Sequence, residues 1–341
     1  MIKLAFKPKQ IAKSLISVLP KRAQDVVKKR FGLEDGERKT LESIGQIYGI
    51  TRERVRQIEN FTLNAIKRSS AYKGALPALA ELKEHLDKYG TVAHEKHFLG
   101  HLAKESDLQN HIYFFLVLGD DFKRAKENDE FHHRWTLDEK FSQKVEEALN
   151  SLYAGLTSED VLSESEIVAR LKECFKKVTR QEAEEEVVKR WLALSRLISK
   201  NPIGDWGVVD SPNIRIRGMR DLAYLVLKRH GSPLHFSEVA KRIEETFERK
   251  AHVATCHNEL IKDERFVLVG RGLYALSVWG YASGTVKDII ANLLQREGAL
   301  SKDQIVNKVL KERYVKENTI GVNLQNSKFF KKDSKGQYSL I

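Results

Sequence analysis

Four neighbouring side chains, Arg52, Glu53, Arg56 and Gln57, are of the types that read base edges in a DNA duplex. Arginine takes guanine through two hydrogen bonds, glutamine takes adenine in the same way, and glutamate accepts from the cytosine amine. Their spacing puts them in the first turn and a half of a helix running from Arg52 to about Arg68. Val55, Ile58, Phe61 or Thr62, and Ile66 recur at helical spacing on the other side and are expected to face a core. In two-helix DNA-reading motifs, the first turns of the second helix are the part that enters the major groove.

The flanking sequence holds the signals that would position such a helix. Thr51 is a good N-cap, and Gly49 before it allows a tight turn because glycine tolerates positive φ. Thr40 is a plausible cap for a short preceding helix that would bury Leu41, Ile44 and Ile47. Before the charged loop Glu34–Lys39, a further helix is expected to open at Pro20 and run through Ala23, Val26 and Val27 to Phe31. Gly32 fits its end.

The chain has 341 residues and a formal net charge of +12, with 59 Lys+Arg against 47 Asp+Glu. Residues 1–73 carry 17 basic and 7 acidic side chains, and residues 280–341 carry 11 and 6, so the middle of the chain is slightly acidic. A positive field concentrated at the ends suits a polyanion such as nucleic acid; the plainer reading is a lysine-rich surface that serves solubility. The length suggests two to four modules. Two cysteines are too few for a disulfide framework or a four-thiolate metal site. No run of eighteen apolar residues occurs, and Ile11–Pro20 carries Lys13 and lacks a small-residue cleavage site. Those features lead to the expectation of a cytoplasmic, nucleoid-associated protein without a membrane partner.

From about Leu15 to Arg68 the sequence resembles region 4 of sigma-70 family transcription initiation factors, most closely in RFGLEDGERKTLESIGQIYGITRERVRQIE, residues 30–59. The resemblance implies a domain that reads the upstream, −35 promoter hexamer and packs on the β flap of RNA polymerase. By position it makes Arg52, Glu53 and Gln57 base readers and gives Arg56 a base or a phosphate. Arg30, Thr40 and Leu41 (through its backbone) would hold the DNA backbone, with Arg54 at the rim. For Arg54 and Glu59, a solvated helix face with intrahelical pairing is an equal alternative. Only about a sixth of the chain is covered, and nothing ahead of the segment offers the aromatic-rich region with which such factors melt DNA. A borrowed DNA-binding domain is therefore expected, rather than a complete initiation factor.

Beyond it a unit of roughly sixty to seventy residues recurs, with two or three amphipathic helices and then a short strand pair. Its clearest copies are Met219–Trp279 and Thr285–Ile341, which share Leu-x-x-(Asp/Asn/Ser)-x-x-Phe, a glycine-containing hairpin and Tyr-x-Leu. Further copies are expected over Ala78–Leu137 and, degraded, over Phe141–Ile216. The layout is that of a winged helix. The expected fold is mainly α: an N-terminal helix-turn-helix followed by an array of winged-helix-like modules with short β-hairpins. The expected domains are residues 1–73, 74–140, 141–217, 218–281 and 282–341, with joints near Ser69–Gly74 and around Pro202, Pro212 and Gly218. Residues 218–281 resemble the HARE-HTH family, which includes the N-terminal domain of the RNA polymerase delta subunit, through DLAYLVLKRHGSPLHFSEVAKRI and RFVLVGRGLYALSVWGY. That likeness implies an interaction module linked to transcription or to DNA modification. In the last module Lys328, Lys331, Lys332 and Lys335 could grip phosphates, or could merely discourage edge-to-edge strand pairing.

Other reactive residue types carry less. His94, His97 and His101 stand three and four apart, with His85 and His111 nearby, and imidazoles so placed can bind zinc. HEKH is not the zinc-protease HExxH, however, because its second histidine comes one residue early, so a satisfied or exposed histidine cluster is expected. His132 and His133 need no special role. Asp120–Asp121 and Glu182–Glu186 could suggest magnesium ligands, but the second run sits on a predicted helix and reads as a solvated face. Cys174 lies among core positions, and Cys256 has no evident activating partner. No P-loop, GxSxG, GxGxxG or paired-cysteine pattern occurs. The expectation is a non-enzymatic regulator of transcription or polymerase-associated factor that binds double-stranded DNA and RNA polymerase. No catalytic residue, metal, cofactor or small-molecule substrate is expected. The alternatives are an adaptor that docks on the β flap without reading DNA, and the specificity component of a DNA modification or restriction system.

Overall fold

Helices alternate with very short strands along the whole chain, which a computed structural model describes over residues 4–281 and 284–341. The chain folds as two units. One comprises the described residues through Ser199 with Trp206–Val209, and the other Lys200–Asp205 with Asp210–Ile341. The fold is mainly α, with sixteen α-helices and small antiparallel sheets of two or three strands among the described residues.

The first unit begins with α1 (Pro8–Ser17), α2 (Lys21–Phe31), α3 (Leu41–Tyr48) and α4 (Arg52–Arg68). It continues through α5 (Ser70–Tyr89), β1 (Val92–His94), α6 (Glu95–Leu102), α7 (Ser106–Leu118) and the hairpin β2 (Lys123–Ala125)–β3 (Arg134–Thr136). Then follow α8 (Glu139–Ala154), α9 (Glu164–Thr179), α10 (Glu185–Leu192) and the hairpin β4 (Ile198–Lys200)–β5 (Trp206–Val208).

The second unit contains α11 (Met219–His230), β6 (Leu234–His235), α12 (Phe236–Phe247), α13 (Val253–Lys262), β7 (Phe266–Gly270) and β8 (Leu273–Leu276). It ends with α14 (Val286–Glu297), β9 (Leu300–Ser301), α15 (Lys302–Glu312), α16 (Glu317–Leu324), β10 (Phe330–Lys332) and β11 (Gln337–Leu340).

From α5 onward one order is repeated four times: helix, short strand, helix, helix, hairpin. In three copies the first strand pairs antiparallel with the last, giving sheet orders β1-β3-β2, β6-β8-β7 and β10-β11-β9. In the copy formed by α8 to β5, that pairing shrinks to a single bridge between Leu162 and Trp206, with N···O distances of 2.9 and 2.7 Å. After the first strand the chain turns at once into the second helix. A side-chain cap holds that turn each time: His94, Ser163, His235 and Ser301.

Where the expected boundaries fall follows from packing. The boundary at 73/74 and the joint at Ser69–Gly74 lie within or against α5, a continuous helix that buries Ala75, Ala78, Leu79, Leu82 and Leu86. No joint forms there, because that apolar face belongs to a core running from Ala12 and Leu15 through Phe31 and Ile66 to Phe115 and Trp135. The repeat expected from Ala78 starts earlier for the same reason. The boundary at 140/141 falls just inside α8, after its cap Asp138, and that at 281/282 lies against residues outside those described. The link between α1–α2 and the repeats is α7, whose IYFFLVL is apolar all round and is mostly buried. Its Phe114 meets Phe31 of α2 at 5.1 Å between ring centroids, and Phe115 meets Phe6 at 5.8 Å.

Candidate nucleic-acid interface

Two threonine caps and two left-handed glycines set the geometry of the α3–α4 pair. Thr40 Oγ1 accepts from the Ser43 N–H at 3.1 Å, and Thr51 Oγ1 accepts from the Arg54 N–H at 3.2 Å. Gly49 turns the chain between the helices at φ 64°, as Gly32 does after α2 at φ 61°. A third glycine, whose role is not legible in the sequence, brings the two helices together. A Cβ on Gly45 would lie 2.6 Å from the Ile50 carbonyl oxygen, so only glycine lets α3 lie against the turn. Ile47, expected to be buried, is instead half exposed, and Gly45 takes the inward position. The small core of the pair is Val26, Ile44 and Val55, with Leu41, Tyr48, Ile50 and Ile58 packed against it. Farther along α4, Thr62 and Ile66 are the buried residues, while Phe61 is 67% exposed.

With Val55 fully buried, Arg52, Glu53, Arg54, Arg56 and Gln57 all stand in solvent. The Arg52 side chain forms no hydrogen bond or ion pair with the described residues. Arg56 donates twice to Glu53, Nε to Oε2 at 2.9 Å and Nη2 to Oε1 at 2.7 Å. This pair holds the Glu53 carboxyl below its ordinary range and the Arg56 guanidinium above its own. Arg54 Nη1 donates to Gln57 Oε1 at 3.0 Å. All of these contacts lie along one helix surface, in water, where such pairing is readily exchanged and screened by salt.

The residues expected at the DNA backbone divide into two kinds. Thr40 is exposed at the start of α3, and Leu41 is the first helical residue, in the turn whose N–H groups have no intrahelical acceptor. Arg30 is half-buried and committed: its Nε meets Glu59 Oε1 on α4 at 3.1 Å, and its Nη1 donates to the Lys39 carbonyl at 3.1 Å. It ties α2 and the following loop to the back of α4. Sequence reasoning missed the rest of this framework. Asn110 on α7, 4% exposed, donates to the carbonyls of Gly32 and Gly36 at 3.1 and 2.8 Å and accepts from Arg38 Nε at 2.6 Å. Arg38 lies over the Tyr113 ring at 3.8 Å, and burial lowers its pKa. The charged loop before α3 is thus pinned from below by α7. A lone Asn ahead of an apolar helical run was the only signal in the sequence.

In the second unit, Lys328, Lys331, Lys332 and Lys335 are exposed on and beside the β10–β11 hairpin. Among the described residues none of them pairs with a carboxylate; Lys332 Nζ lies 5.6 Å from the Tyr338 ring.

The remaining candidates take structural roles. His94 does not share a helix face with His97 and His101: it precedes α6 and caps it, its Nδ1 accepting from the His97 N–H at 3.2 Å. The His94 ring lies 4.3 Å from that of His97 and 5.0 Å from that of His132, and burial beside these imidazoles pushes its pKa down to about 4. No group of three or more His, Cys, Asp or Glu arranged to hold a metal is found among the described residues. Asp120 and Asp121 meet Lys67 and Lys83, Glu182 meets Lys176, and Glu185 and Glu186 meet Lys189. Cys256 is buried, its thiol pushed up to about 11 by desolvation. No helix among the described residues is long and apolar enough to cross a membrane.

Two segments match known families. Residues 15–68 match the family described as sigma-70, region 4, and residues 217–279 match the HARE-HTH family, an HTH domain whose description names ASXL and restriction endonuclease proteins. An RNA polymerase sigma factor SigA from Bacillus sp is 40% identical over 65 residues. The match covers 19% of this chain and 17% of that protein. The chain therefore carries two helix-turn-helix segments of DNA-binding type, one of sigma-70 region 4 and one of HARE-HTH, and no enzyme family is indicated.

Proposed function

We propose that the protein is a regulator of transcription that reads a short, −35-like promoter duplex with α4. The observation that carries this reading is the set of exposed side chains on the first turns of a helix that Thr51 caps and whose opposite face buries Val55, Thr62 and Ile66. Arg52 would take guanine through its guanidinium fork, Gln57 adenine, and Glu53 the cytosine amine. Arg56, released from Glu53 as that carboxylate turns to a base, would reach a base or a phosphate. Thr40 and the first N–H groups of α3 would meet a phosphate, since a helix N-terminus favours an anion, and Arg54 would meet the backbone at the rim. Arg30 would act through α4 as a positioning residue.

Base and backbone contacts separate in titrations of the full chain. Arg52→Ala and Gln57→Ala should each reduce discrimination between the preferred duplex and one changed at the contacted pair by about 1–3 kcal/mol. Arg54→Ala should weaken all duplexes alike and lower the slope of log affinity against log salt by about one. If discrimination survives Arg52→Ala, the base-reading role is wrong.

RNA polymerase, met through its β flap, is the protein partner we infer, since the similar Bacillus protein is an RNA polymerase sigma factor. Capture of polymerase by the full chain tests it. Such a factor would work in the cytoplasm on the nucleoid. The HARE-HTH segment keeps one competitor, a specificity component of a DNA modification or restriction system, because that family's description includes restriction endonucleases. An associated nuclease or methyltransferase activity in the purified complex would favour it.

A further inference from the structure

The four repeats differ sharply in what their third helix offers. Helix α7 is core: between Asn110 and Leu118 all its residues but Tyr113 and Val117 are buried. Helix α10 opens on Glu184, Glu185 and Glu186, and its Lys189 is held by three carboxylates. Helix α13 exposes the apolar Val253 and Ile261. Beside these α13 exposes Thr255 and Asn258, and α16 shows a polar, uncommitted face: the Asn318 and Gln325 side chains have no hydrogen-bond partner among the described residues, and Val322 between them is 67% exposed. These residues line a groove of about 490 Å³ against the start of α15, where Ser301 caps the helix and Lys302 stands at its first turn.

Several cations of this repeat also lack a carboxylate partner. Among the described residues Lys302, Lys316, Lys328, Lys331 and Lys335 form no ion pair. On the hairpin, the Asp333 carboxylate turns inward to accept the N–H groups of Lys335 and Gln337 at 2.9 and 2.8 Å. The acidic neighbours are Asp303 and Glu317. The arrangement resembles that of α3 and α4 within the same chain in two respects: a hydroxyl-capped first helix, then a second helix presenting exposed polar groups and one glutamate.

We propose that the last repeat, Thr285–Ile341, is a second duplex-DNA site, in which α16 enters the major groove and the β10–β11 lysines hold phosphates. It goes beyond the α4 reading and does not depend on it. Asn318 and Gln325 have the amides that pair with adenine, and Val322 can meet a thymine methyl. A duplex is the better fit than a single strand, which is held by stacking on exposed aromatic rings. The exposed rings of this repeat are Phe329 and Tyr314, and a cation already lies over the first: Lys287 Nζ is 4.2 Å from the Phe329 ring.

The test is the salt dependence of duplex binding by the full chain. Each lost phosphate contact lowers the log–log slope by about 0.9. Replacing Lys331, Lys332 and Lys335 together by Gln should therefore flatten the slope by roughly two to three units and shorten the nuclease footprint. Asn318→Ala with Gln325→Ala should keep the slope and lose sequence preference at the outer part of the footprint. Both effects should persist in an Arg52→Ala, Gln57→Ala background, which separates this site from α4. An unchanged slope in the lysine variant overturns the proposal and leaves edge protection as the role of these lysines. Equal or tighter binding of single-stranded DNA, abolished by the same variant, overturns it as well.

Discussion

At the scale of single residues, two helical glycines have opposite roles. Gly45 lies so close to the Ile50 carbonyl that an added methyl has no room, whereas Gly74, inside α5, has nothing within 4 Å of where a Cβ would stand. Gly45→Ala should destabilise the fold by about 1–3 kcal/mol, the usual cost of overpacking, even though alanine is the better helix former. Gly74→Ala should stabilise it by about 0.5–1 kcal/mol, since it removes only unfolded-state freedom. Denaturant midpoints of the two variants check both signs, and a loss at Gly74 or a gain at Gly45 would contradict the packing described. His94 carries a pH dependence of its own. Its folded pKa, about 4, lies below the ordinary 6.5, so between these values the unfolded chain binds more protons. Stability is then complete above about pH 6.5 and falls as the pH drops toward 4. His94→Asn keeps a capping side chain and should flatten the decline in melting temperature below pH 6.5. If the variant and the parent decline in parallel, another group is responsible.

At the scale of elements, local chemistry in the sequence marked the α3–α4 helix pair well. Thr40, Thr51, Gly32 and Gly49 act through their own or adjacent backbone groups, so their residue types alone announce helix ends. Boundaries that depend on packing were hidden. The run from Ser69 to Gly74 reads as a joint because of its small residues, yet it lies against or in α5, whose following turns bury Ala75, Ala78 and Leu79. Likewise, Asn110 cannot be recognised as the clamp of residues 32–38 until α7 is seen against Gly32. Tertiary proximity, not propensity, decides such cases. Asn110→Ala would leave the Gly32 and Gly36 carbonyls and the Arg38 guanidinium short of a partner. It should lower stability by about 1–3 kcal/mol and weaken duplex binding, because the loop before α3 would no longer be held. Unchanged binding with unchanged stability would show that the clamp is dispensable.

At the scale of the molecule, the sigma-like segment is built into a larger body. The core that holds α1, α2 and α4 also holds α5 and α7, and α10 is fastened to the end of α5. There Trp191 Nε1 donates to the Gly90 carbonyl at 3.1 Å, and Gly90, at φ 129°, admits Val187 where a Cβ would clash. In the second unit the last two repeats are joined as well: the Arg313 guanidinium donates to the Leu268 and Gly284 carbonyls, and the Tyr314 N–H donates to the Val269 carbonyl at 2.9 Å. A fragment ending at residue 73 would cut α5 and expose Phe31 and Ile66, so its helices should melt without cooperativity, as circular dichroism would reveal. A sharp transition in that fragment would mean that the shared core is not needed.

If sequence is read from the exposed first turns of α4, removing its base-reading side chains must erase the preference and leave the affinity for DNA in general. Selection of bound duplexes from a random pool, by the full chain and by its Arg52→Ala, Gln57→Ala variant, tests this most directly. The expected result is a short motif enriched by the parent and lost at the contacted positions by the variant, while non-specific binding remains. Recovery of the same motif by both proteins would contradict it.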